Sequence, residues 1–316
     1  MAYVLRRLGV SLVLIWLVAT LIFAVLRLIP GDPAEMLLSS GGVAPDPAAV
    51  TELRERLGLE KPLLEQYGAF LRGLLRLDLG NSMQDDRPVI DEIARRLPRT
   101  LELVVSATIL SILIGLPLGV SAALRRGSRI DQALSMLSSF FMSVPVFVIG
   151  TLLVLVFAQK LRWVPAGGFT PFTTDPFTHL KILLMPALTI AVGLSAVVFR
   201  MVRTTTLEMQ SRDWVRTARA KGLPEAQVIR RHVVRNALGP VLTVIGLHMG
   251  TLLGGTVLVE YVFNWPGLSG FLVRAVEQRD YPEVQGIVLV ICALFVLLNL
   301  AVDLLYAVLD PRVRHG

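Results

Sequence analysis

The residue types that do chemistry are sparse in this 316-residue chain and are not spaced for catalysis. It has no G-x-x-x-x-G-K-[ST] phosphate loop, zinc-ligand pattern, catalytic carboxylate pair or nucleophile elbow, so it reads as non-catalytic, without bound cofactor or metal. Cys292 is the single cysteine, which excludes a disulfide framework and a thiolate metal site. What stands out is mechanical: residues 211–240, SRDWVRTARAKGLPEAQVIRRHVVRNALGP, are amphipathic and basic yet lie between two apolar runs. Trp214, Val215 and Ala218 fall on one side of a helix with Arg216 and Arg219 elsewhere, and Ser211 or Asp213 is the expected cap. Gly222-Leu223-Pro224 reads as a stop and restart, with glycine left-handed and proline opening a second helix to Asn236. Val228, Ile229, His232 and Val233 take one side of that helix, and Arg230, Arg231 and Arg235 point outward. Two short helices at an angle make a stiff knob that an outside partner can push. The same residues also suit an amphipathic hairpin lying on the inner leaflet.

A second set of candidates is polar and sits at apolar depth. His248 and Thr251 lie inside an apolar run beside Gly254 and Gly255, and Glu260 stands at its end. Polar groups there are costly and face a cavity or a neighbouring helix, whereas Gly and Thr equally serve close helix packing. The turn Trp265-Pro266-Gly267 interrupts an apolar connection and is expected to dip back toward the membrane, with Glu260 orienting it. Asn299 and Asp303 in the last run line a path, contact a partner or cap the helix. Because Glu102, Glu260 and Asp303 all lie at run ends, a gradient-driven transporter with mid-membrane carboxylate relays is disfavoured.

The elements holding these residues follow from composition. Hydrophobic residues make up 54% of the chain and charged ones 17%, against about a quarter charged in soluble domains. Residues 8–26, 103–124, 133–159, 182–199, 237–259 and 284–302 lack Asp, Glu, Lys and Arg, and each is long enough to span a bilayer. The expectation is an all-α membrane protein of six transmembrane helices, forming one domain over residues 1–316. The first run exceeds a signal-peptide core, and Pro145 is placed to kink the third. Lys and Arg concentrate at Arg6, Arg7, Arg125, Arg126, Arg129, from Arg200 to Arg235, and at Arg312 and Arg314. The short connections on the other side hold only Lys160, Arg162, Lys181, Arg274 and Arg279, so both termini are expected in the cytoplasm. The net charge of +7 thus reflects topology and anionic lipid rather than nucleic acid. The long outer segment, about residues 28–100, reads as short helices packed on the outer span ends. Asp46-Pro47 starts one that Gly58 stops, Pro62 a second and Pro88 a third, with Pro98 breaking the chain before span two.

The stretch Ala218-Arg-Ala-Lys-Gly222, its basic helix and Asn236-Ala-Leu-x-Pro240 resemble the EAA loop of ABC-importer permeases, specifically the dipeptide/oligopeptide family. The first of that family's two permease types is resembled by Arg27-Leu-Ile-Pro-Gly-Asp-Pro-Ala, Leu57-Gly-Leu-Glu-Lys-Pro, Leu97-Pro-Arg-Thr-Leu-Glu-Leu, Phe263-Asn-Trp-Pro-Gly-Leu, Arg279-Asp-Tyr-Pro, Asp303-Leu-Leu-Tyr and Asp310-Pro-Arg. The likeness covers essentially the whole chain in order. It departs at Arg216-Thr217-Ala218, which lacks the motif glutamate, and at Ser269, where glycine is usual. The resemblance implies a heteromeric importer in a bacterial or archaeal plasma (inner) membrane. Its partners would be a second permease, two ABC ATPases that use ATP and Mg, and an extracytoplasmic binding protein. It also implies that Trp214, Arg216, Thr217, Ala218, Arg219, Ala220, Lys221, Gly222 and Leu223, in a loop over about residues 200–236 joining spans four and five, form the ATPase-coupling helix. Peptides are the default substrate, with glutathione and nickel chelates handled in the same family.

Overall fold

The computed structural model describes residues 2–28, 34–35, 46–56 and 60–309. The expectations at residues 29–33, 57–59 and 310–314, and those on the side chains of residues 303–306, lie outside the described residues. Helices are the dominant element. α1 (Ala2–Leu28), α2 (Pro47–Arg56) and α3 (Leu63–Leu75) open the chain, followed by α4 (Val89–Leu124), α5 (Arg129–Ser143) and α6 (Val146–Leu153). α7 (Pro176–Gln210), α8 (Asp213–Ala220), α9 (Glu225–Gln227), α10 (Arg235–Gly255), α11 (Val257–Val262), α12 (Leu268–Glu277) and α13 (Tyr281–Leu309) complete it. Five helices are long and apolar enough to cross a membrane, or six if α5 and α6 with its π-helical extension count as one broken span. The kink expected at Pro145 is a 99° break between them. Proline cannot donate to the α5 ladder, and it restarts the chain as the residue capping α6.

α7 is the central post, packed along α4 and touching α5, α6 and α10. The α4–α7 backbones meet closely because Gly115 and Gly119 face α7. A Cβ on either would stand 2.7–2.9 Å from Ser195, Val198, Phe199 or Val202. Asp175 caps α7 by accepting from the Phe177 and Thr178 amides, and its carboxyl is held below the usual range chiefly by the bond from the Thr178 hydroxyl, with the two amides adding to it. The first two outer short helices begin where they were read, whereas the third is the start of α4. Asp46 accepts from Ala48 N at 3.1 Å to start α2, and Pro62 precedes α3. α3 lies on α1 through Phe23, Tyr67 and Phe70, with the Tyr67 hydroxyl 2.7 Å from Thr20 Oγ1.

Three expectations need correction. Pro98 does not break the chain, since α4 runs unbroken across it for 36 residues. A mid-helix proline costs about 3 kcal/mol, but here packing secures both flanks. Val89 and Ile93 pack with Leu268, Phe271 and Ile287 on one side, and Leu103 and Ala107 join the main core on the other. The basic helix after Pro224 does not end at Asn236. α9 passes through a π-helical segment, Val228–Val234, directly into α10. Lastly, neither Ser211 nor Asp213 caps α8: Arg212 holds that position without a side-chain bond, and the Ser211 hydroxyl donates back to the Glu208 carbonyl.

Candidate functional sites at the inner elbow and the outer turn

The inner elbow has a small core of its own. Val215 and Ala218 of α8 are buried against Val228 and Val233, with Met209 and Leu223 at the edge. Arg219 Nε and Nη2 donate to the two carboxylate oxygens of Glu225 at 3.1 and 2.7 Å, strapping α8 to α9. The stop is built as expected. Gly222 sits at φ +77, its N–H donates to the Arg219 carbonyl, and Leu223 N–H reaches the Ala218 carbonyl. Only Ser211 and Arg212 separate α8 from α7, and π-helical turns join its far side to α10, so the elbow is rooted in both neighbours. Trp214 departs from the expected pattern. It is 47% exposed beside Arg216, Thr217, Ala220 and Lys221 on the outward face, because Val215 and Ala218 alone fill the small core.

The outer turn is held by one carboxylate. Glu260 is 1% exposed. Its Oε1 accepts from Thr100 Oγ1 at 2.8 Å and Thr256 Oγ1 at 3.1 Å, and its Oε2 accepts from Gly270 N at 2.8 Å. Thr100 Oγ1 in turn accepts from Leu268 N at 2.7 Å, which ties α4 to the start of α12. The buried Trp265 ring donates from Nε1 to the Arg99 carbonyl at 3.0 Å. A Cβ at Gly267 would lie 2.2 Å from Glu260 Oε1, so a side chain there must push the carboxylate off its three donors. The irregular backbone expected at Trp265-Pro266-Gly267 is therefore buried in protein.

These two sites stand at opposite ends of a helical fold whose likenesses agree with one another. The family model described as "Binding-protein-dependent transport system inner membrane component" matches residues 115–315, and its N-terminal companion model matches residues 1–104. The chain belongs to this family. Among curated relatives, the Di/tripeptide transport system permease protein DppB of Pseudomonas aeruginosa is 39% identical, over 100% of this chain and 99% of its own. The Glutathione transport system permease protein GsiC of Escherichia coli O6:H1 is 38% identical, over 99% of each. An inward-facing structure of the MetNI methionine ABC transporter matches at TM-score 0.57 and 19% identity, covering 69% of this chain and 96% of that one, a likeness of fold.

Within this inner membrane component, the remaining residues singled out in the sequence divide. Leu247, Thr251, Gly254, Leu258 and Tyr261 form one exposed face running up α10 and α11. Gly255 is exposed with nothing within 4 Å of an added Cβ, and His248 is half-buried beside the face, its carbonyl accepting from Thr251 Oγ1. Glu260 does not share this face, because its three donors draw the carboxylate into the outer turn. The close helix contact lies one turn away at Gly250, whose added Cβ would come 2.7 Å from the Phe295 ring. Asn299 donates to its own helix at the Phe295 carbonyl.

Several structured sites escaped the sequence reading. His179, 1% exposed, places Nε2 2.7 Å from Glu102 Oε1 and Nδ1 2.6 Å from the Thr170 carbonyl, among Phe169, Phe172 and Trp265. Buried Asp280 accepts from Ser82 Oγ at 2.6 Å and Met83 N at 2.8 Å, fastening the outer loop to the start of α13. Asp131 takes a bidentate pair from Arg203 at 2.6 and 2.8 Å, linking α5 to α7. Each joins residues 70 or more positions apart; Glu102 and Asp280 lay in stretches the sequence had singled out, but nothing there named His179, Ser82 or the Asp131–Arg203 pair as partners.

Proposed function

We propose that this chain is one of two permease subunits of an ATP-driven ABC importer that carries di- and oligopeptides across a plasma (inner) membrane. In this reading it has six spans with α5 and α6 as a broken third, both termini are cytoplasmic, and two separate ATPases bind ATP and Mg. An extracytoplasmic binding protein delivers the substrate. The exposed face of α10 and α11, with His248, Thr251, Gly254 and Gly255, lines half of the path beside the second permease, and the Glu260-braced Trp265-Pro266-Gly267 turn shapes its outer end. The observation that carries the reading is the elbow. α8 packs only through Val215 and Ala218 and leaves Trp214, Arg216, Thr217, Ala220 and Lys221 facing outward from the junction of two spans. A rigid-body push on that face moves α7 and α10 together, switching the path between its two openings.

The test is a cross-link. In a Cys292→Ser background, Thr217→Cys should form a disulfide with a cysteine scanned across the ATPase surface, in an ATP-dependent manner. An intact complex that never forms it overturns the proposal. Peptide transport is supported by the likeness to the Pseudomonas di/tripeptide permease, and the likeness to the Escherichia glutathione permease keeps glutathione as the second reading. Stimulation of ATP hydrolysis by binding proteins loaded with dipeptide, oligopeptide, glutathione or a nickel chelate separates these substrates. Uptake that survives ATP depletion but collapses with an uncoupler would instead identify a gradient-driven transporter.

A further inference from the structure

Between α5 and α7 a pocket of about 380 Å3 opens, lined by Ser135, Ser139, Phe199, Arg200, Arg203 and Thr204. Arg203 is committed to Asp131. Arg200 is exposed, and among the described residues the bond it makes is to the Met142 thioether, Nη1 to Sδ 3.3 Å. A thioether is a weak acceptor and leaves the guanidinium fork, which suits a phosphate in bidentate fashion, largely unused. Depth follows from two independent runs. The apolar stretch 182–199 ends one residue before Arg200, and the stretch 133–159 begins two residues before Ser135. Both put the pocket where hydrocarbon gives way to headgroups.

The neighbouring surface fits the same ligand. Ser135 and Ser139 lie one helical turn apart, and so do Met136 and Phe140, each set one residue on. A polar stripe facing the pocket therefore runs beside an apolar one, with Met136 75% and Phe140 60% exposed. Arg125, Arg126 and Arg129 add exposed positive charge at the same end. We propose that this pocket binds the phosphate of an anionic phospholipid of the inner leaflet, whose acyl chains lie along Met136, Leu137 and Phe140. The apolar flank is what favours a lipid over a soluble phosphate. The proposal rests on the cytoplasmic placement of this end given above.

Native mass spectrometry of the purified importer complex, exposed to phosphatidylglycerol and phosphatidylcholine of matched chains, reads the site directly. Wild type should retain phosphatidylglycerol preferentially, and Arg200→Gln should reduce that preference about fivefold, the scale of one interfacial arginine. Arg200→Lys should keep most of it. Ser139→Leu, which fills the pocket and alters no charge, should lose it as Arg200→Gln does, and Arg72→Gln on the outer surface should not. Equal retention of the two lipids by wild type, or an unchanged preference in both Arg200→Gln and Ser139→Leu, overturns the proposal. So does complete displacement of phosphatidylglycerol by millimolar inorganic phosphate, which would mark a site for soluble anions. Lost lipid preference with normal ATP-driven uptake leaves the transport reading intact. Absent ATPase stimulation with the preference intact removes that reading and not this one.

Discussion

Glu260 and Gly267 form a matched pair in which one side chain occupies the volume that the other residue lacks. Gly267→Ala must displace a carboxylate holding three donors, so it should destabilise the purified complex by about 2 kcal/mol or more, read as a lowered thermal midpoint. Glu260→Ala should cost a similar amount, by leaving Gly270 N–H and two hydroxyls short of an acceptor. Because both changes act on one contact, the double variant should cost clearly less than the sum. Strict additivity would mean that the two residues do not meet. The sequence exposed part of this pairing. An acidic residue ahead of Trp-Pro-Gly marked a braced turn, but Thr100 lies 160 positions away and nothing local identified it as the other anchor.

The elbow acts through α8, α9 and the glycine between them. Its helices were legible because Gly222-Leu223-Pro224 combines a left-handed stop with a restart. The orientation of Trp214 was not legible, since sequence periodicity finds an apolar stripe without saying how wide a small core will be. Pro98 was misread for a related reason: packing on both flanks outweighed the local preference of one residue. At Gly222 an added Cβ meets nothing within 4 Å, so substitution there acts through backbone strain alone. Gly222→Val should strain the loop by about 1–2 kcal/mol and lower uptake per ATP hydrolysed, whereas Gly222→Asn should keep most of the coupling. Equal coupling ratios in reconstituted vesicles for wild type and Gly222→Val would argue against the elbow as transmitter.

For the molecule as a whole, the apolar runs matched the five to six candidate crossings, and the basic residues set an expected orientation, because a bilayer constrains both in sequence. They did not reveal the 99° break, whose angle depends on what α5 and α6 pack against. The orientation has a direct check. With Cys292 replaced by serine, a membrane-impermeant thiol reagent applied to intact cells should label Arg162→Cys and not Arg126→Cys. The reverse pattern would invert the whole assignment. α7 carries one further consequence. Its 35 unbroken residues span about 52 Å at 1.5 Å per residue, against a hydrocarbon layer of about 30 Å. In the proposed orientation the ten residues beyond Arg200 therefore carry α8 some 15 Å past the edge of the hydrocarbon layer, more like a crank than a surface float. A tilt of only about 5° about the outer end of such a rod carries its tip some 4–5 Å sideways. In the proposed importer, a modest rocking of the bundle would thus be geared up into a stroke large enough for an ATPase docked on the elbow to drive.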